Sequence, residues 1–182
     1  MSPRLASDDE LAPMLVLLRS YHADSTEHSG RHLVDHLVGT YRLLESWGNR
    51  PQVCRAGMFH SIYGTNSFPI RSAGFGERPA IRQAIGEEAE RLAFLFCTID
   101  RPIALLHALV YGESELADMV NGGKHRIAVG ELSALLEIEV ANLREQGEEA
   151  ELLATMGKII VAAVPCPVSP AAVSALTTSI VV

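Results

Sequence analysis

The sequence predicts an all-α protein, because apolar residues recur at helical spacing and glycine or proline closes each such run. We find no strand-type alternation of apolar and polar residues. Apolar residues form 48% of the 182 positions and the mean hydropathy is +0.17, which is enough to bury a core without disulfides or a structural metal. We therefore expect a single-domain helical bundle over residues 1–164, followed by a proline-containing apolar tail over residues 165–182.

The charge balance indicates which partners to expect. The formal net charge is −7 and the isoelectric point is near 5.5, and lysine and arginine form no cluster. Nucleic acids and anionic membranes attract basic surfaces. We therefore expect a small-molecule substrate and neither nucleic acid nor membrane, while the apolar tail leaves a homodimer open.

The cysteines indicate a reducing compartment. Cys54, Cys97 and Cys166 are odd in number, widely spaced and set in apolar segments, which predicts buried free thiols. The N-terminus has two acidic residues where a signal peptide would have its apolar core, and no apolar run reaches the ~18 residues of a membrane span. We expect a cytoplasmic protein.

The first three helices have recognisable limits. Ser7 and Glu10 have the spacing of a capping box, and apolar residues follow at helical intervals, so a helix is predicted over residues 8–21. The run RHLVDHLVGTYRLLESWG predicts a second helix that ends at Gly48. Pro51 then begins a third, QVCRAGMFHSIYG, which is apolar on most sides and should be buried.

A loop and further helices make up the rest of the chain. The segment TNSFPIRSAGFGERP is rich in glycine, proline and serine, and loops of that length are often functional lids, so we expect residues 64–76 to close over a substrate. The acidic stretch GEEAE indicates a solvated helix start. The remaining helices are predicted over residues 79–99, 103–112, 113–120, 130–147 and 148–164.

His60 is the first candidate functional residue. The apolar residues Met58, Phe59 and Ile62 flank it, so its ring cannot face water whichever way the helix is turned. Both ring nitrogens must then find partners inside the protein. That requirement makes His60 the expected centre of a site.

The second helix carries three histidines at four-residue spacing, His28, His32 and His36. Its apolar face is centred near Leu33 and Leu37, taking about 100° per residue. His36 lies at the edge of that face, while His32 lies further round and His28 on the polar side. His36 is therefore the inward histidine, and a three-histidine zinc cluster is not expected.

Glu139 is the least expected residue of the helix over residues 130–147. It lies in the middle of an apolar face made by Leu132, Leu135, Leu136 and Leu143. A carboxylate at that position must be paired, metal-bound or protonated, because a bare buried charge is unfavourable by several kcal/mol. A purely structural alternative is a bridge to an arginine such as Arg55 or Arg82.

Other residues are candidates for substrate contacts. Tyr63 and Thr65 follow the central histidine, although capping of the helix explains this segment nearly as well. His107, in ALLHALVYG, is expected to be buried, as a core histidine bonded to a carbonyl or as a substrate contact. Asn142 lies on the same helix face as the buried glutamate.

The substrate is not expected to carry phosphate. Phosphate sites in proteins usually contain arginines or helix N-termini, and the candidate pocket is apolar. Arg71 and Arg78, at the ends of the long loop, are the nearby arginines.

The stretches HLVDHLVGTYRLLESWG, AGMFHSIYGT and IEVAN resemble a divergent branch of the HD-domain superfamily, an uncharacterised bacterial family with the signature A-G-x-F-H-S-x-Y-G-T. The similarity covers about residues 25–146. In that superfamily a histidine on one helix precedes a histidine-containing doublet at the end of a buried helix, and a polar residue follows on a late helix. The resemblance implies an HD-domain-like helical bundle.

By that resemblance, His36 matches the first histidine and His60 the histidine of the doublet. Ser61 stands where the doublet has aspartate, and Asn142 about where the last aspartate would be. HD phosphohydrolases use the two aspartates to hold and bridge metal ions, so the neutral replacements disfavour a two-metal phosphohydrolase. Glu139, one turn before Asn142, would restore one carboxylate.

Three functions are compatible with these residues. In the first, an HD-domain-like enzyme acts on a small, non-phosphorylated molecule, and His36, His60 and Glu139 hold one divalent metal, iron or manganese, for an oxygenase or a metal-assisted hydrolase.

In the second, no metal is bound. His60 is then a general base and Glu139, its pKa raised by apolar neighbours, a general acid of an isomerase, cyclase or lyase. Ser61 and Asn142 would donate hydrogen bonds to an oxyanion. In the third, the protein binds a ligand without catalysis.

Overall fold

The structure of the protein is a computed structural model that describes residues 7–28, 30–65, 70–147 and 150–177. These residues are mostly helical, which confirms the predicted all-α class at that level, and two short antiparallel hairpins accompany the helices. The chain divides into two compact units, Met1–Cys97 and Thr98–Val182. The helices are α1 (Asp8–Ser20), α2 (Leu33–Ser46), α3 (Pro51–Met58), α4 (Arg78–Ile85), α5 (Glu87–Thr98), α6 (Ile103–Tyr111), α7 (Val129–Gln146), α8 (Ala150–Ala162) and α9 (Pro170–Thr177); the strands are β1 (Glu27–His28), β2 (Arg31–His32), β3 (Glu115–Ala117) and β4 (Lys124–Arg126).

The first unit is built on the packing of α2 against α3. The apolar face predicted for α2 is confirmed, since Leu33, Leu37 and Leu44 are fully buried. Gly57 of α3 allows the close approach, because a Cβ atom at that position would lie 2.3 Å from Leu44 Cδ1. The predicted capping box of α1 is also present, with Ser7 as its N-cap.

The third helix ends earlier than predicted. It stops at Met58, and Phe59 leaves helical geometry with φ −119° and ψ 8°. Turn hydrogen bonds then replace helical ones, from the amide of Ile62 to the carbonyl of Phe59 (3.1 Å) and from Gly64 to Ser61 (2.9 Å). The expected placement of His60 inside a helix is therefore wrong, and the residue lies in the turn that follows α3.

The helix predicted over residues 79–99 is two helices. Gly86 separates α4 from α5 with a φ of +94°, a conformation that residues with a Cβ rarely adopt. The turn at Gly86 redirects the chain before the buried part of α5 begins. Of the predicted lid, residues 66–69 lie outside the described residues. In its later part the amides of Ser72 and Ala73 both donate to the carbonyl of Ile62.

A hairpin replaces the short helix predicted over residues 113–120. Strand β3 pairs with β4, and Leu116 lies opposite His125. The connecting turn contains Gly122 and Gly123 with φ of +77° and +81°. An Asn-Gly pair between two short strands is a hairpin signal, and it outweighed the helical spacing of the flanking residues.

The second unit surrounds α7. Every residue of α7 from 134 to 143 is buried, and α6, α8 and α9 each pack against it or against one another. The segment after the prolines, ambiguous in the sequence, forms α9 and contacts both α7 and α8. Gly157 of α8 permits that contact, since a Cβ there would lie 3.3 Å from Leu176 Cβ.

The thiols follow the prediction in part. Cys54 and Cys97 are buried thiols outside any disulfide, whereas Cys166 is exposed, because it lies in the irregular segment between α8 and α9. In the ranges that the structure describes, no single helix has both the length and the apolar character needed to cross a membrane.

Replacing Gly57 with alanine should destabilise the first unit. The new Cβ would overlap Leu44 Cδ1, which lies 2.3 Å away in a fully buried contact. We expect a loss of about 2 kcal/mol in the free energy of unfolding, as for other overpacked cores, measured by urea denaturation.

Gly76→Ala is the matched control, since no atom lies within 4 Å of the position that its Cβ would take. Its stability should equal that of the unmodified protein. Equal stability of the two variants would contradict close packing of α2 on α3.

Candidate functional site

Two buried histidines meet in the first unit. His36 Nε2 and His60 Nε2 lie 3.1 Å apart, and neither residue has exposed surface. The rings meet edge to face, with centroids 5.0 Å apart and an interplanar angle of 79°. The predicted burial of both residues is confirmed. Helix α2 holds one ring, and the turn after α3 holds the other.

The backbone fixes the proton arrangement of His60. Its Nδ1 lies 2.6 Å from the carbonyl oxygen of Gly57, and a carbonyl can only accept, so Nδ1 carries a hydrogen. The neutral ring then has its lone pair on Nε2, facing His36. The Cys97 thiol donates to the His60 carbonyl at 3.0 Å, and the Phe96 ring packs on the imidazole with centroids 5.1 Å apart.

Glu139 has its partner in the second unit. Its side chain is 1% exposed and its Oε2 accepts a hydrogen bond of 2.7 Å from Arg101 Nη1. The guanidinium is also buried, with 8% exposed. The predicted need of this carboxylate for a partner is confirmed. The structural alternative is the one observed, with Arg101 in place of Arg55 or Arg82.

The other candidate residues have different environments. Ser61, Tyr63 and Thr65 are buried in the turn after α3, and Asn142 is buried in α7. His107 was expected to be buried, but its side chain is 52% exposed. Helix α6 turns Leu105 and Ala108 inward instead, which leaves the histidine on the opposite face. There His107 Nδ1 contacts Glu113 Oε2 at 3.1 Å.

A buried charge cluster surrounds Glu90, which the sequence did not predict. The acidic stretch GEEAE was expected to be solvated, yet Glu90 has no exposed surface. Arg78 Nε donates to its Oε1 at 2.6 Å, Arg82 Nη2 donates to Oε2 at 3.2 Å, and the Tyr63 hydroxyl donates to Oε1 at 3.0 Å. Burial, followed by the Glu90 charge, raises the pKa of Tyr63 far above its ordinary value.

The spacing of α5 contained a signal for this burial. Glu90 lies three, four and seven residues before Ala93, Phe94 and Cys97, all of which are buried, so it shares their helix face. The Arg78 guanidinium also lies 3.5 Å from the centroid of the Phe94 ring. Because Tyr63 is three residues from His60, this cluster fixes the turn that carries the histidine.

The hairpin of the second unit contains a further polar cluster. Asp118 Oδ1 accepts hydrogen bonds from the amides of Val120 (2.9 Å) and Asn121 (2.8 Å), and Oδ2 lies 3.0 Å from His125 Nε2. Burial alone would raise the pKa of Asp118. The hydrogen bonds from Asn121 and Val120, with the His125 charge, outweigh burial and lower that pKa below 3.8.

These observations define a mostly helical protein with a buried pair of histidines. Residues 17–101 match the family model of a domain of unknown function (DUF6817), slightly less than half of the chain, and the segment includes both histidines. No curated protein and no solved structure matches the chain.

The donor atoms present show whether the site fits the metal ion that the HD resemblance implies. Within residues 7–28, 30–65, 70–147 and 150–177, no three His, Cys, Asp or Glu side chains form a group suited to holding a metal ion. Ser61 and Asn142 are neutral, and Glu139 is bonded to a guanidinium. The donors therefore do not fit the expected two-histidine, one-carboxylate set.

Glu90→Gln should destabilise the first unit by about 3 kcal/mol, because it leaves two arginines around a buried neutral amide. Glu88→Gln on the same helix is the control. Glu88 forms an ion pair with Arg50 in which both side chains are largely exposed, 46% and 60%, and its loss should change stability by less than about 1 kcal/mol. Chemical denaturation of both variants measures the difference, and similar values would contradict a structural role for Glu90.

Asp118→Asn should loosen the hairpin at neutral pH. Since the folded-state pKa is lowered from 3.8, the carboxylate contributes stability above that pH and loses it as the pH falls through the lower folded value. Hydrogen exchange of the Val120 and Asn121 amides should be faster in the variant at about pH 6, by a factor that corresponds to about 2 kcal/mol, and should approach the wild-type rate at low pH. Glu115→Gln, an exposed change in the same hairpin, should have no such effect.

Proposed function

We propose that the protein is an enzyme that acts on a small, non-phosphorylated organic molecule, with the His36–His60 pair as its proton-transfer centre. The observation that carries this proposal is the approach of the two Nε2 atoms to 3.1 Å inside the protein. Two imidazole nitrogens at that distance must share a proton or a cation, since two lone pairs facing each other repel.

The proton inventory of the pair supports acid–base chemistry. With Nδ1 of His60 donating to Gly57, the neutral pair has a hydrogen on His36 Nε2 and a lone pair on His60 Nε2. An added proton enters at His36 Nδ1, so that one hydrogen stays between the two Nε2 atoms and the Gly57 bond stays intact. The pair can therefore accept and return one proton, as a general acid–base group requires.

The proton partner of His60 in this proposal is His36, whereas the sequence favoured Glu139 as the general acid. An ion pair with Arg101 requires an ionised Glu139, so its geometry does not favour proton donation by that residue. His36 takes the place of Glu139 as the partner of His60. Ser61, buried beside His60 in the chain, is the proposed hydrogen-bond donor to an oxyanion that forms in the substrate.

A substrate without phosphate is also part of the proposal. The arginines of α4 that lie near the turn after α3, Arg78 and Arg82, are bonded to Glu90, and Arg71 lies 4.9 Å from the centroid of the Phe75 ring. A bound phosphate would have to compete with the Glu90 carboxylate for Arg78 and Arg82. Because both guanidinium groups are paired with Glu90, a neutral or weakly polar substrate is favoured.

An HD-domain-like arrangement is the fold we propose for this centre. In the resemblance, one histidine of a helix and the histidine of a later doublet belong to one site, and here the two Nε2 atoms are in contact. Both histidines also lie in the segment that matches the domain family. Their contact supports a shared origin with HD-type centres.

A single transition-metal ion held by the two histidines alone is the second candidate occupant, because the Nε2 spacing is compatible with it as well as with a shared proton. Metal–nitrogen bonds of about 2.1 Å separate two imidazole nitrogens by about 3.0 Å at a right angle and about 3.4 Å at a tetrahedral angle, and the observed separation is 3.1 Å. The Gly57 carbonyl would orient His60, as backbone carbonyls do for many metal-bound histidines. Such an ion would supply Lewis-acid or redox chemistry.

His60→Gln should abolish turnover. The measurement is a screen of small compounds that can isomerise, cyclise or eliminate, and loss of the base should lower the rate at least ~100-fold. His36→Gln should have a similar effect, because His60 loses its proton partner. His32→Gln changes an exposed histidine next to the same helix and should leave the rate unchanged.

Two measurements on the pair need no substrate. Elemental analysis of protein purified without chelator distinguishes the occupants: near-stoichiometric metal that His60→Gln removes supports the ion, and metal-free protein supports the shared proton. Imidazole ¹⁵N spectra should show His60 with its hydrogen on Nδ1. A His60 spectrum unaffected by His36→Gln would contradict both forms of the proposal.

A further inference from the structure

The second unit contains a cavity that is lined by none of the residues considered for catalysis. Its volume is about 680 Å³, and its walls come from the end of α6, the start of α7, the end of α8 and the proline segment that follows α8. Cavities of about 300–1,000 Å³ are typical of small-molecule sites. Space for a ligand is therefore present within this unit alone.

The walls of the cavity are mainly apolar. Alanine, valine, leucine, isoleucine and proline side chains form most of the lining. Three lining valines remain unusually exposed, Val110 at 57%, Val129 at 84% and Val164 at 95%. Contact between these side chains and water is unfavourable, and an apolar ligand would remove it.

One charged residue lines the cavity among those that the structure describes, and its negative charge indicates which ligand head group fits. That residue is Glu113, and the lining contains no lysine, arginine or histidine among the residues that the structure describes. The His107 imidazole lies outside the lining and holds Glu113 Oε2 at 3.1 Å. Ser114 and Ser133 add hydroxyl groups to the same lining. An anionic head group would be repelled, and an amine would be attracted.

We propose that this cavity binds a small apolar amine, with the hydrocarbon part against the valine and proline walls and the ammonium group beside the Glu113 carboxylate. The inference concerns a second site and is independent of the histidine pair. A ligand of this class would cover the exposed apolar wall and pair with the single carboxylate of the lining, Glu113. Its binding requires no residue of the first unit.

Displacement of a neutral fluorescent probe tests the proposal. N-phenyl-1-naphthylamine becomes brighter in apolar surroundings and should bind the intact protein. Decylamine, decanol and decanoate share one chain length and differ in the charge of the head group. We expect decylamine to displace the probe best, decanol up to about fivefold less well, and decanoate least. No probe binding, or stronger displacement by decanoate, would overturn the proposal.

Variants locate the binding. Ala163→Trp, just after α8, places a large ring in the cavity wall and should weaken probe binding at least ~10-fold. Thr155→Trp, at an exposed position within α8, should leave it unchanged. Circular dichroism checks that both variants fold. Glu113→Gln should keep probe binding and remove the preference for decylamine over decanol. Retention of that preference would refute the role of Glu113 even if Ala163→Trp misfolds.

Discussion

Gly57 is the constraint on which the histidine pair depends, because it acts through both its missing side chain and its carbonyl group. Because Gly57 has no Cβ, α3 can approach Leu44 of α2 more closely than a residue with a side chain would allow. Its carbonyl oxygen accepts the Nδ1 hydrogen of His60. The same position therefore sets the distance between α2, which holds His36, and α3, which leads into the turn that holds His60. It also selects the tautomer that directs a lone pair at His36.

Two fully buried glutamates, one in each unit, are paired with arginines of their own unit. Glu90 is held by Arg78 and Arg82 in the first unit, and Glu139 by Arg101 in the second. A buried carboxylate without such a partner would be strongly destabilising. These pairs give the arginines a structural role, so these glutamates need no metal ion, and their arginines no substrate phosphate, to balance their charge.

Helical spacing predicted the burial of His36 and Glu139, because the faces of α2 and α7 are set by leucines over several turns. It failed where a local turn decides the structure. The Asn-Gly-Gly sequence at residues 121–123 forms a hairpin turn, and turn hydrogen bonds replace helical ones after Met58. The partner of Glu139 was not predictable either, since 38 positions separate it from Arg101 and many arginines could have reached it.

The burial of the histidine pair also limits the chemistry that suits it. Neither ring has exposed surface, so a proton taken up by the pair has no direct route to bulk water. His60 Nδ1 is bonded to a backbone carbonyl, which accepts a hydrogen bond but not a proton, and His60 Nε2 faces His36. Reactions that remove a proton from one atom of a substrate and return it to another atom need no such route, whereas hydrolysis must admit and activate water. We therefore propose isomerisation or cyclisation as the reaction class that suits this buried pair.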